Sequence, residues 1–283
     1  MQTAVPRARV SVPARAVPQR RTSRLRVMGE GSSLTISVLT VVGLFALWWL
    51  VTELRWIPPL FLPSPPAIWA AFVQSISGGG GGASLLQNTG WSLFRVISAF
   101  ILAVLIGVPA GLAMGTSRIA RGMFDPPIEF YRPLPPLAYL PLIIIWCGIG
   151  ELSKILLIFL ACFAPVALAA RSGVRSVSQE QVNAAFSMGA SRSQVVRHVI
   201  MPAALPDILV GLRIGMGVGW TTLVAAEMVA ATAGLGQMVL NASNFLRTDV
   251  VIMGIIIIGL FAYAFEMGMR QLEKHLVPWK GKV

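Results

Sequence analysis

Residues 183–202 read NAAFSMGASRSQVVRHVIMP, a polar island between two long apolar runs. Two helix starts are legible in and just before it. Ser178 with Gln181, and Ser191 with Gln194, have the capping-box spacing, in which a hydroxyl and an amide three residues on satisfy exposed backbone donors. Gly189 lies between them, where a helix can end in the left-handed conformation glycine adopts freely. Met201-Pro202 is expected to close the second helix, and Pro206 to fall in the first turn of the next. The spacing thus predicts a short helix, a glycine turn and a second short helix, displayed at the surface of an otherwise apolar protein.

The chain has 283 residues, 55% hydrophobic and 12% charged, with a mean hydropathy of +0.74. Soluble domains carry about 25% charged residues, so the deficit indicates a polytopic membrane protein. The net charge of +12 does not mark a nucleic-acid binder, because the basic residues flank apolar runs instead of interleaving with aromatic platforms. Cys147 and Cys162 are the only cysteines and His198 and His275 lie far apart; neither a disulfide framework nor a metal site of the usual type is expected. Residues 1–32, with seven arginines up to Arg26, read as a disordered basic tail facing anionic lipid. The Arg20-Arg21 pair precedes a run long enough to span, with no small-residue cleavage site, so a removable signal is not expected.

About 20 apolar residues cross a bilayer core, and six segments qualify: roughly 34–51, 91–114, 128–146, 153–170, 208–230 and 250–269. The third begins in a proline-dense stretch. With the N-terminus inside, the tail, the 115–124 and 171–206 loops and the C-terminus hold seven, two, four and four basic residues, against Arg55, Lys154 and Arg247 outside. This asymmetry places both termini and the island in the cytoplasm. After the first span, Pro58 to Pro66 keep the chain extended, Ala67–Ile76 suits a short interfacial helix, and Gly78–Gly82 reads as a flexible insertion. No phosphate loop G-x-x-x-x-G-K-[ST] occurs, nor any Ser/His/Asp or paired-carboxylate constellation.

Within the island, Ala184 and Ala185 are small enough for close approach to a partner. Phe186, Val182, Val195 and Val199 offer apolar anchors, as a helix laid in a groove requires. Charges in lipid are costly and usually functional; Arg95, Glu129, Arg132, Glu227 and Glu266 fall in or beside spans. Glu129 and Arg132 either pair with each other or line a pathway, and Trp220, Thr221, Thr222 and Glu227 are further candidates for contact with solute. Gly211 and Gly215 share a face suited to close helix packing, as a dimer seam or a pathway wall.

The island resembles the EAA loop of permeases in ATP-binding-cassette importers, written E-A-A, three residues, G, nine residues, I-x-L-P. Ala184, Ala185, Gly189 and Pro202 match; Asn183, Val199 and Met201 replace the glutamate, isoleucine and leucine. The stretches PLFLPSPP (59–66), EFYRPLPPLAYLP (129–141), GIGELSKILLIFLACFAP (148–165) and LRIGMGVGWTTLVAA (212–226) resemble the nitrate, sulfonate and taurine branch of that family. The resemblance runs from about Leu47 to the C-terminus and leaves out residues 1–32 and the glycine run.

What it implies is an all-α transmembrane domain over residues 33–283, in the bacterial inner membrane, with about six spans and a cytoplasmic coupling hairpin at 178–202. Asn183, Ala184, Ala185, Phe186, Gly189, Ala190, Val199 and Pro202 would then meet an ATPase subunit. The implied partners are a second copy of the chain, two ATPase subunits that carry ATP and Mg, and a periplasmic solute-binding protein. The chain itself would need no cofactor and catalyse nothing. The implied solute is taurine or another aliphatic sulfonate, with nitrate or bicarbonate as the alternative. From the residues alone, an ion-gradient-driven transporter using Glu129, Glu227 and Glu266, or a membrane-embedded enzyme, also stay open.

Overall fold

The computed structural model describes residues 34–78 and 83–278. The expected basic tail and positions 79–82 of the glycine run lie outside the described residues. Every described element is helical, and the chain divides into two units, residues 1–47 and 48–283.

The described part of the first unit is most of helix α1, Leu34–Glu53. Side chains from Thr35 to Leu47 are all exposed and mostly apolar, the pattern of a helix solvated by lipid.

The second unit carries the remaining helices: α2 (Pro65–Ile76), α3 (Leu85–Thr116), α4 (Arg118–Tyr131), α5 (Pro136–Cys147), α6 (Glu151–Arg175), α7 (Gln179–Ser187), α8 (Arg192–Val195), α9 (Met201–Ala230), α10 (Leu235–Asn244) and α11 (Thr248–Leu276). Helix α2 covers the short helix expected at 67–76. Its first turn is Pro65-Pro66, where missing N–H groups cost nothing.

Helix α6 is the centre of the packing, because glycines on both neighbours let backbones touch it. A side chain at Gly107 would meet Val166, at Gly111 the Ala167 carbonyl and Ala170, and at Gly115 Val174. Both series ascend, so α3 and α6 run parallel. On an adjoining face Gly211 meets Ala169, Gly215 meets Val166 and Cys162, and Gly219 meets Cys162 Sγ at 2.7 Å. That series descends against α6, so α9 is antiparallel. Gly211 and Gly215 therefore pack within one chain, on α6, and form no seam between copies.

Parallel α3 and α6 require the chain to recross between them. Only α4 and α5 lie there, of 14 and 12 residues. At 1.5 Å per residue α5 covers about 18 Å, short of a bilayer core of about 30 Å. The single span expected at 128–146 is thus divided after Tyr131. Pro133, Pro135 and Pro136 lack donors, and Pro135, set before Pro136, is extended at ψ 130°, which separates the two helices. Among the described residues five helices, α1 among them, are long and apolar enough to cross a membrane.

A second departure concerns Pro202. The helix does not close there: α8 runs through a π-helical turn at Val196–Ile200 straight into α9, one continuous helical segment Arg192–Ala230. The wider turn absorbs the donor that Pro202 lacks and the clash its ring would make with the preceding turn.

Candidate functional site

The expected hairpin is present as geometry. Ser178 Oγ accepts from the Gln181 backbone N–H at 3.3 Å, and Gly189, with a φ of +84°, turns the chain just after α7. Ser191 makes the full reciprocal box: its Oγ accepts from Gln194 N, and Gln194 Oε1 accepts from Ser191 N at 2.8 Å. At Ser178 only the hydroxyl half forms.

The structure sorts the proposed anchors into two sets. Ala185, Val195 and Ile200 are buried in one apolar cluster with Val174 of α6 and with Ala204 and Ile208 of α9, and Val182, Ala190 and Val199 pack against it. These residues bind the hairpin to its own spans, so Val182, Val195 and Val199 are not free anchors, and Ala185 leaves no room for a partner. Asn183, Ala184, Phe186, Gly189 and Pro202 face outward, as does Met188, which is 83% exposed. Asn183 Oδ1 accepts from Gln179 Nε2 at 3.1 Å.

A second constellation was only partly legible. Arg95 of α3 is 1% exposed and Glu227 of α9 is 0% exposed. Arg95 Nη1 donates to Glu227 Oε1 at 2.7 Å and to the Ala233 carbonyl at 2.7 Å. Its Nε and Nη2 both reach Glu151 at the start of α6, and Lys154 Nζ donates to the same carboxylate at 2.8 Å. Ser92 donates to Glu227, while the N–H groups of Gly234, Leu235 and Gly236 donate to Asn88 Oδ1, Ser92 Oγ and Glu227 Oε2. These donors open α10, so Glu227 acts as its cap, where a carboxylate complements the helix N-terminus. Close approach is enforced by Gly234 and Gly236, where any side chain would strike Glu227.

Glu227 is accordingly buried among its partners instead of facing an open space, and Thr222 is buried too. Glu129 and Arg132 are not paired. Arg171 of α6 instead bridges Asp125 at 2.5 Å and Glu129 at 3.7 Å, and Arg132 is exposed. Trp220 and Thr221 line a cleft of about 510 Å³ between α9 and α11, where Arg213 lies 3.9 Å from Glu266. Trp220 is itself 4% exposed, so it presents only an edge there. Asn88, Ser92, Glu151 and Lys154 were missed, although 88, 92 and 95 have the spacing of one helical face inside an apolar span. No group of three or more His, Cys, Asp or Glu side chains able to hold a metal exists among the described residues.

Residues 103–277, from the middle of α3 to the end of α11, match the family described as "Binding-protein-dependent transport system inner membrane component". The chain belongs to that family. The permease is 55% identical over 251 residues to the taurine transport system permease protein TauC of Escherichia coli (strain K12), covering 88% of this chain and 91% of TauC. It is 35% identical over 238 residues to the putative aliphatic sulfonates transport permease protein SsuC of the same organism, covering 84% and 89%. Its fold is similar to a chain of the inward-facing MetNI methionine ABC transporter, with a TM-score of 0.59 at 17% identity over 75% of this chain and 99% of that one. The permease is thus a multi-pass inner-membrane subunit of an ABC importer, from a family of transport components and not of enzymes.

Proposed function

We propose that the permease carries taurine, or a closely related aliphatic sulfonate, inward across the membrane, with ATP bound and hydrolysed on separate subunits. The observation that carries the solute class is the 55% identity to TauC across nine-tenths of both chains, joined by the sulfonate assignment of SsuC. The hairpin at 178–202 is the coupling element, on the cytoplasmic side with both termini. Ala184, Phe186 and Met188 of its outward face meet the ATPase. Asn183 and Pro202 border that contact, Gly189 sets the turn, and Ala185, Ala190 and Val199 anchor the hairpin from behind.

The packing supports a mechanical route. The buried side of the hairpin shares one apolar cluster with α6 and α9, so a displacement of the hairpin is carried by both spans. Glycine contacts then pass it from α6 to α3, and the Arg95–Glu227–Glu151 network ties the far ends of all three. Close-packed interiors transmit such shifts because they have little free volume to absorb them. The assembly is a permease dimer with two ATPase subunits and a solute receptor outside. Proteoliposomes containing the permease, its ATPase and its receptor protein should accumulate radiolabelled taurine only with ATP inside and receptor outside. Accumulation independent of ATP would refute the proposal; receptor-dependent accumulation of nitrate and not taurine would reassign the solute.

A further inference from the structure

We infer that Arg95 and Lys154 form a three-donor cradle for an oxyanion, that Glu151 fills it in this conformation, and that the sulfonate head of the solute takes it by displacing Glu151. This rests on the sulfonate reading above and deepens it.

The donor count is the first argument. Three N–H groups converge on the Glu151 carboxylate: Arg95 Nε on Oε2, and both Arg95 Nη2 and Lys154 Nζ on Oε1, at 2.9 and 2.8 Å. A carboxylate has two oxygens, so Oε1 serves two donors from different helices. A sulfonate has three oxygens at tetrahedral spacing and gives each donor its own acceptor. Two oxygens can face the Arg95 fork in the bidentate manner guanidinium favours, and the third can face the ammonium, a compact point charge.

Charge and burial give the second. Without Glu151 the group comprises Arg95, Lys154 and Glu227, a net charge of +1 in a buried setting, which calls for one monovalent anion. Glu227 cannot leave: it is fully buried and is held by Arg95, Ser92 and the Gly236 N–H. Glu151 is 36% exposed, whereas Arg95 and Lys154 are 1% and 3% exposed. Its carboxylate receives only the two cradle side chains, and Gly150 with a Gly148 of φ +77° precedes it. One carboxylate is thus structural, and the other is a lid that solvent reaches.

A purely structural reading needs Glu151 as the permanent partner. The two are distinguished by direct binding to the permease–ATPase complex in lipid nanodiscs, without receptor protein. An attached carboxylate competes at high effective concentration, so wild type should bind radiolabelled taurine weakly and Glu151→Gln about tenfold or more tightly. Ethanesulfonate should compete for the gained binding and ethylamine should not. Adding Lys154→Met should remove the gain. Glu151→Asp, one methylene shorter, should show a smaller gain and serves if the glutamine variant fails to assemble. Unchanged taurine binding, competition by ethylamine, or a gain that survives Lys154→Met would each overturn the cradle. Receptor-dependent uptake by the wild-type complex, measured alongside, judges the sulfonate reading separately. Uptake with no gain in binding sinks the cradle alone; a gain in oxyanion binding without sulfonate uptake sinks only the solute assignment.

Discussion

Glu227 shows how one residue changes role between sequence and structure. A glutamate near the end of an apolar span reads equally as a solute contact or an ion site, because the linear chain hides what lies opposite. In the fold it meets Arg95, Ser92 and the opening donors of α10. Removing one partner of a buried ion pair costs about 3–5 kcal/mol. Glu227→Ala should therefore lower the thermal midpoint of the detergent-solubilised permease sharply; loss of transport at an unchanged midpoint would restore it to the pathway. Ala185 and Phe186 diverge in the same way. Ala185→Glu should disrupt the packing of the hairpin, since Ala185 is 6% exposed. Phe186→Ala should leave folding intact while weakening ATPase association by about 1–2 kcal/mol, as a contact anchor does, measured by subunit co-purification. The local caps at Ser178 and Ser191 were legible because they need only residues three apart. The Asn88–Ser92–Arg95 face went unread despite its helical spacing, because the partners that give it meaning lie more than fifty positions away.

At the scale of elements, the apolar runs announced the spans, and most of their boundaries moved outward where polar ends continue the helices. The two larger misreadings both involve proline. At 133–135 prolines break what hydropathy joined, and at Pro202 a π-helical turn rescues a helix that proline rules would end. Hydropathy averages over a window and cannot see either. The glycine pattern gave the right mechanism, close backbone approach, and the wrong partner, since α6 of the same chain takes the place of a second copy. That contact is testable with an internal control. Gly111→Ala drives a methyl into the Ala167 carbonyl and Ala170, whereas Gly217→Ala meets nothing within 4 Å. Overpacking costs about 1–3 kcal/mol, so the first should lower the thermal midpoint and the second leave it or raise it slightly. Equal effects would contradict the packing.

For the whole molecule, three long helices are joined at both ends: by the apolar cluster beneath the hairpin on one side and by the buried ion network on the other. A body joined in this way would move as a unit, as the coupling route proposed above requires. The low charge content and the long apolar runs carried the membrane assignment, and the island carried the family. The solute was not legible from spans built for packing; it came from relatives. Crosslinking tests the central claim most directly. Met188→Cys, made with Cys147 and Cys162 replaced by serine, should react with a membrane-impermeant maleimide only from the cytoplasmic side. It should also crosslink to the ATPase subunit in the assembled complex. Labelling from the outer side, or full assembly with no crosslink from this exposed position, would contradict the account.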